Sequence, residues 1–152
     1  MLAEDADAAE DLAVVAHADS PGLDALSLPV LRQLYLGRRT RIAGQRVRCL
    51  DLPAGSAPRE SFTRIVLGLG GRALDRYWLR QALSGGPPPP REIGTAAELI
   101  ARVAREPGSL GYVPWAELAA GAPPGVRVVG LEVRGRTLRP GQPGYPLIQA
   151  GR

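Results

Sequence analysis

An α/β domain with a small mixed sheet flanked by helices is the fold class this chain of 152 residues predicts. Three observations carry it. Short apolar runs recur at Leu12–Ala16, Arg46–Leu52, Ser109–Val113 and Val126–Val133. Between them lie stretches whose apolar residues repeat at helical spacing, and these stretches are bounded by capping residues and glycines. Strands interleaved with helices argue for helices layered on one sheet, with all four runs in it. The length fits one domain with a single core.

The elements follow in order. Leu12–Ala16 is bounded by His17-Ala-Asp-Ser-Pro-Gly and reads as a buried strand entering a loop. Ser27 is placed as an N-cap with Pro29 in the first turn, and Leu31, Leu34 and Tyr35 form an apolar stripe until Gly37 stops the helix. Arg38–Gln45 is a polar turn and Arg46–Leu52 a second strand. A helix is expected over Pro58–Leu67, ending at Gly68, Gly70 and Gly71. Another is expected over Ala73–Leu83, with Leu74, Tyr77, Trp78 and Leu83 inward.

Gly85-Gly-Pro-Pro-Pro-Pro90 is too short to separate domains and reads as a stiff loop between helices. Thr95-Ala-Ala-Glu98 is a capping box opening a helix through Leu99, Ile100, Val103 and Ala104. Pro107-Gly108 ends it. Ser109–Val113 is a strand, Pro114–Ala119 a helical turn and Val126–Val133 the last strand; a Gly/Pro-rich tail follows from Arg134. Phe62, Trp78, Leu99 and Val103 are the expected core anchors of their helices.

Charge divides the chain. Glu4, Asp5, Asp7, Glu10 and Asp11 make residues 1–11 an acidic, flexible arm, and residues 149–152 a tail, leaving a domain over 12–148. Arg32, Arg38, Arg39, Arg41, Arg46 and Arg48 then follow without a carboxylate between Asp24 and Asp51. Every basic residue is arginine and none is lysine, as in a GC-rich genome, so an arginine at any one site says little by itself. With aromatics at only 5% and no nucleic-acid-binding motif, the arginine run reads as a solvated face, and nucleic acid is not an expected partner.

Cys49 is the sole cysteine, so no intrachain disulfide forms, and in an apolar strand it reads as an inert small hydrophobe. No stretch approaches the ~20 apolar residues of a membrane span. The N-terminus carries neither a positive nor an apolar leader segment. His17 is the only histidine, and no nucleophile elbow, Walker pattern, dinucleotide fingerprint or metal-ligand spacing accompanies it. No catalytic residue, metal ligand or cofactor is therefore expected, and the chain reads as a non-enzyme.

The most informative stretch is Asp51-Leu-Pro-Ala-Gly-Ser-Ala-Pro-Arg-Glu-Ser-Phe62. A strand, a glycine turn and a helix start in that order gather free N–H groups and the positive helix end, which attracts oxyanions. Gly55, Ser56, Ala57 and Arg59 are the candidate ligand-binding residues, with a hydroxyl from Ser56 and a planar charge from Arg59. The plain alternative is Ser56 as N-cap and Arg59 solvated.

Four segments, in order, extend this reading. They are Leu28-Pro-Val-Leu-Arg-Gln-Leu-Tyr-Leu-Gly37, the turn at Gly55-Ser56, Glu106-Pro-Gly-Ser-Leu-Gly-Tyr-Val113, and Pro143-Gly-Tyr-Pro-Leu147. Together they resemble the Leu-x-x-Ile-Phe-Leu-Gly helix, Gly-Ser-Gly-Thr helix start, Pro-Gly-Ala-Ile-Gly-Tyr turn and Tyr-Pro-Leu tail of the phosphate-binding proteins of bacterial ABC transporters. The resemblance spans about residues 12–148. It implies one lobe of a periplasmic binding protein-like fold, a periplasmic location, and phosphate or a similar oxyanion as ligand. Ala57 and Pro58 depart from the pattern, and Pro58 removes a hydroxyl and an N–H donor. The family clamps its anion between two lobes, and this chain resembles mainly one. Weak oxyanion binding is the expectation. The alternative is an interaction module of an envelope assembly that keeps the lobe as a scaffold for a protein partner.

Overall fold

The structure, a computed structural model, describes residues 11–149. Most of the expected acidic arm, residues 1–10, and residues 150–152 of the tail lie outside the described residues. Asp11, assigned to the arm, is inside them and buried. It bridges to Ile148, and its carboxylate accepts a hydrogen bond from Gly141 N at 2.6 Å.

Nine strands and four α-helices make the described fold. β1 (Leu12–His17), β2 (Ala25–Ser27) and α1 (Leu28–Tyr35) come first. The hairpin strands β3 (Arg41–Ile42) and β4 (Gln45–Arg46) lead to β5 (Arg48–Asp51) and α2 (Ala57–Phe62), which continues as a π-helical turn over Thr63–Leu67. α3 (Gly71–Leu83), β6 (Arg91–Glu92), α4 (Ala96–Arg105) and β7 (Ser109–Pro114) follow. A 3₁₀ turn at Trp115–Leu118, β8 (Val126–Val133) and β9 (Arg136–Leu138) complete it.

One mixed sheet runs β2-β8-β1-β7-β5-β6, with β9 beside β8. β1 is antiparallel to both β7 and β8, whereas β5 is parallel to β7 and β6. All four apolar runs contribute to this sheet, Arg46–Leu52 only through Arg48–Asp51. β1 is buried at every position, as a central strand covered on both faces must be. The covers can be assigned from β7. A Cβ at Gly111 would lie 2.7 Å from Leu99 of α4, while the next residue, Tyr112, stacks on Phe62 of α2 at 3.9 Å. Successive residues point to opposite faces, so α4 covers one face and the α1–α2 pair the other.

The capping signals act as read. Val30 N donates to Ser27 Oγ at 3.3 Å at the start of α1, and Glu98 N donates to Thr95 Oγ1 at 3.1 Å at the start of α4. The helix expected over Pro58–Leu67 is split: α2 widens into the π turn, which closes with Gly68 N donating to Thr63 O at 3.0 Å while Gly68 takes φ +67.

Other expectations need correction. Trp78 is half-buried at the edge of the core and Leu83 is 80% exposed, because only Leu74 and Tyr77 of α3 reach inward. Arg46–Leu52 is not one strand. Arg46 belongs to the β3–β4 hairpin, and Val47 turns inward between it and β5. Pro87–Pro90 does not join two helices but feeds β6, an edge strand too short and polar for an apolar pattern to reveal. The tail after Arg134 carries β9, followed by the buried Tyr145 and Leu147. Phe62, Leu99 and Val103 are buried as expected.

Candidate functional site

β5 ends at Asp51 and the chain turns through Leu52–Gly55 into α2. Gly55 takes φ +87, a left-handed conformation that glycine adopts without steric cost, and the space beside it is open. Ser56 is the extended N-cap residue, with φ −73 and ψ 147. The first i→i−4 bond of the helix is Glu60 N to Ser56 O at 2.9 Å. Ala57 and Arg59 therefore offer first-turn N–H groups, and Pro58 between them offers none. All four candidate residues lie together on this turn.

Their side chains already have internal partners. Ser56 does not cap the helix; its hydroxyl donates to Pro53 O at 2.6 Å and closes the turn on itself. Arg59 folds back over the strand end. Its Nη1 donates to Leu52 O at 2.8 Å, its Nε lies 3.4 Å from Asp51 Oδ1, and Nη1 lies 3.5 Å from Glu92 Oε2. Glu92 also accepts from Ala54 N at 3.1 Å, tying the turn to β6. Arg59 is thus neither solvated nor a free cation, but the centre of a carboxylate pair.

Asp51, Glu92 and Tyr112 are the site residues that sequence reasoning missed. Asp51 is buried, and Tyr112 donates its hydroxyl to Oδ1, as does Leu52 N at 3.1 Å. Burial pushes the Asp51 carboxyl above its ordinary range. The Tyr112 hydrogen bond, the Arg59 guanidinium and the Leu52 N–H pull it partly back, and Glu92 adds to the rise. The Tyr112 hydroxyl is pushed up by its own burial and by the facing Asp51 charge. Tyr112 is fixed in turn by Phe62, stacked at 5°, and by Tyr35, whose hydroxyl donates to Leu50 O at 2.7 Å. An aromatic platform thus supports the strand end beneath the turn. Asp51's position before a Pro/Gly turn was a usable signal. Glu92 left none, because β6 itself was not legible.

Electrostatics limit what the turn can do. The helix end and Arg59 attract an anion, but Asp51 and Glu92 sit on the same guanidinium, so an incoming oxyanion shares Arg59 with two carboxylates. Elsewhere, His17 Nδ1 accepts from Asp19 N at 3.1 Å. Among the described residues, no group of three His, Cys, Asp or Glu side chains gathers as metal ligands, and no helix is long and apolar enough to cross a membrane. Cys49 is half-buried, and burial holds its thiol far above the ordinary range, as a neutral group.

No protein-family model and no curated protein matches the sequence. Solved structures do match the fold. An ABC-type phosphate transport receptor from Vibrio cholerae superposes with a TM-score of 0.61 at 17% identity, covering 80% of this chain and 46% of the receptor. A possible phosphate binding protein from Planctomyces limnophilus gives 0.64 at 14% identity, with 91% and 50% covered. PstS from Borrelia burgdorferi gives 0.62 at 11% identity, with 91% and 54% covered. The chain spans about half the length of the structures it matches, and its fold is that of a single lobe of these phosphate receptors.

Proposed function

We propose that this chain is a non-enzymatic periplasmic protein that binds phosphate or a similar oxyanion weakly at the turn Gly55–Arg59. One observation carries the reading: on a lobe shared with phosphate receptors, the Ala57 and Arg59 N–H groups precede the first helical hydrogen bond, beside the Arg59 guanidinium. The magnitudes keep the binding weak. A helix end contributes ~0.3–1 kcal/mol to an exposed charge, and up to ~2 in favourable geometry. Micromolar affinity needs about 8 kcal/mol. Pro58 withholds a donor, and Arg59 must be shared with Asp51 and Glu92.

A second reading has its own support. Ser56 and Arg59 already satisfy their side chains internally, and α3 exposes Leu79 and Leu83, so the lobe could serve as a docking scaffold for an envelope protein without a ligand. Titration calorimetry with inorganic phosphate separates the two. Wild type should bind near the millimolar range, and Ser56→Ala and Arg59→Lys should weaken it. Arg59→Lys keeps a charge opposite Asp51 and so protects the fold. Micromolar affinity would overturn the half-site argument. Heats unchanged by both substitutions would remove the site and leave the docking reading.

A further inference from the structure

At the end of β5 opposite the Gly55–Arg59 turn, a separate cleft of about 210 Å³ opens between the end of α1, the β3–β4 hairpin, α3 and the proline run. β5 and its parallel neighbour show the separation. Arg48 and Cys49 of β5 and Arg91 of β6 line the cleft, whereas Asp51 and Glu92, paired in register, belong to the turn.

Four arginines line this cleft: Arg39, Arg46, Arg48 and Arg91. No aspartate or glutamate lines it, and none of the four is ion-paired among the described residues. Arg39 spends one N–H on Arg41 O at 3.3 Å; the side chains of Arg46, Arg48 and Arg91 have no hydrogen-bond partner among the described residues. Like charges gathered without counter-charge raise the local potential, and a concave wall concentrates it.

The remaining lining is apolar and stiff. Trp78, half-buried rather than in the core, presents part of its ring here. Pro87–Pro90 form the facing wall, which has no N–H to offer a ligand. That wall is fixed. Gly37 has φ +73, and a Cβ there would lie 2.8 Å from Pro87 Cγ and 3.8 Å from the Trp78 ring, so helix end, proline and indole are packed in close contact. A preformed wall lowers the ordering cost of binding.

We propose that this cleft binds a small anion carried on a flat apolar body, of the aromatic carboxylate or aryl phosphate class. The guanidinium groups take the charged head through charge-assisted hydrogen bonds. The ring of the ligand lies against Trp78 and the prolines, and arginine also stacks on aromatic faces. The size agrees, since a cavity of ~150 Å³ holds benzene and this cleft is larger. Bare inorganic anions would gain only the head contacts.

The test is an NMR titration of the whole chain with phenyl phosphate, following the Trp78 indole N–H, with inorganic phosphate and benzyl alcohol as comparisons. Phenyl phosphate should shift the Trp78 indole and the Arg48 and Arg91 amides. It should bind about tenfold or more tightly than either comparison, as loss of one charged hydrogen bond or one ring contact would give. The double substitution Arg48→Gln with Arg91→Gln, both exposed positions, should weaken binding by about tenfold, and Arg136→Gln, at an exposed arginine of β9 outside both sites, should leave it unchanged. A silent Trp78 indole, equal affinity for phenyl phosphate and inorganic phosphate, or indifference to the arginine substitutions would each overturn the proposal. Equal sensitivity to Arg136→Gln would show that only overall charge is read and overturn it as well.

Discussion

Asp51 and Arg59 are the residues on which the turn depends, and the burial of Asp51 gives the site a distinct pH response. Burial raises the Asp51 carboxyl, while the Tyr112 hydroxyl is the strongest of the groups opposing that rise. An unfolded aspartate titrates near ~3.9. Above that value and up to the raised folded value, the folded state holds more protons than the unfolded one. Stability contributed by this group is therefore present at low pH and lost as pH climbs through the folded value. Thermal melts of wild type should show that loss in the window just above ~3.9, and Asp51→Asn should flatten it. Tyr112→Phe should move the window higher and cost about 1–3 kcal/mol, because it leaves Asp51 short of a donor. Following the Asp51 carboxyl by NMR checks the sign. Titration below the unfolded value would reverse it. The residues of this pair were legible only in part: Asp51 sits in the informative stretch, but nothing local to it announces Tyr112, which lies 61 positions away.

Elements with their own local grammar were the legible ones. Ser27 and Thr95 accept the cap hydrogen bonds that their spacing implied, and Gly37 and Gly68 end their helices in left-handed conformations. β2, β3, β4, β6 and β9 were not legible. Each is two or three residues long, and periodicity needs more chain than that to be seen. These short strands also explain why Trp78 leaves the core. Once the proline run feeds β6, Pro87 lies against Gly37 at the end of α1, with the Trp78 ring beside them. Between elements, Gly108 is a tight junction: at φ +85, a Cβ there would lie 2.7 Å from Arg46 O, a backbone atom that cannot rotate away. The same loop donates Gly108 N to Ser20 Oγ at 2.9 Å and accepts Arg48 N at 2.8 Å. Gly108→Ala should thus cost ~1–3 kcal/mol through backbone strain, and more if the hairpin shifts. An unchanged denaturation midpoint would show that the α4–β7 turn relaxes freely.

Across the whole molecule, the resemblance read from four short segments turns out to rest mostly on packing. Tyr112 of the third segment anchors the aromatic platform. Tyr145 of the fourth donates to Leu12 O at 2.6 Å, and Leu147 O accepts Leu12 N at 2.9 Å. The second segment, the Gly55-Ser56 turn, is where the proposed site lies, and it is also where the sequence departs from its pattern at Ala57 and Pro58. A fold can persist on its packing residues while its ligand donors are lost, so similarity of fold does not carry affinity with it. The same contacts predict how the chain unfolds. The first described strand and the closing segment share one buried cluster with α1, α2 and α4, and that cluster continues across the proline run without a break. Denaturant unfolding followed by Trp78 and Trp115 fluorescence and by circular dichroism should therefore give coincident transitions. Leu147→Ala, at a fully buried position, should lower stability by ~2–5 kcal/mol in that single step. Two separable transitions, or a Leu147→Ala effect confined to one spectroscopic probe, would mean that the segments either side of Pro87–Pro90 hold independent cores.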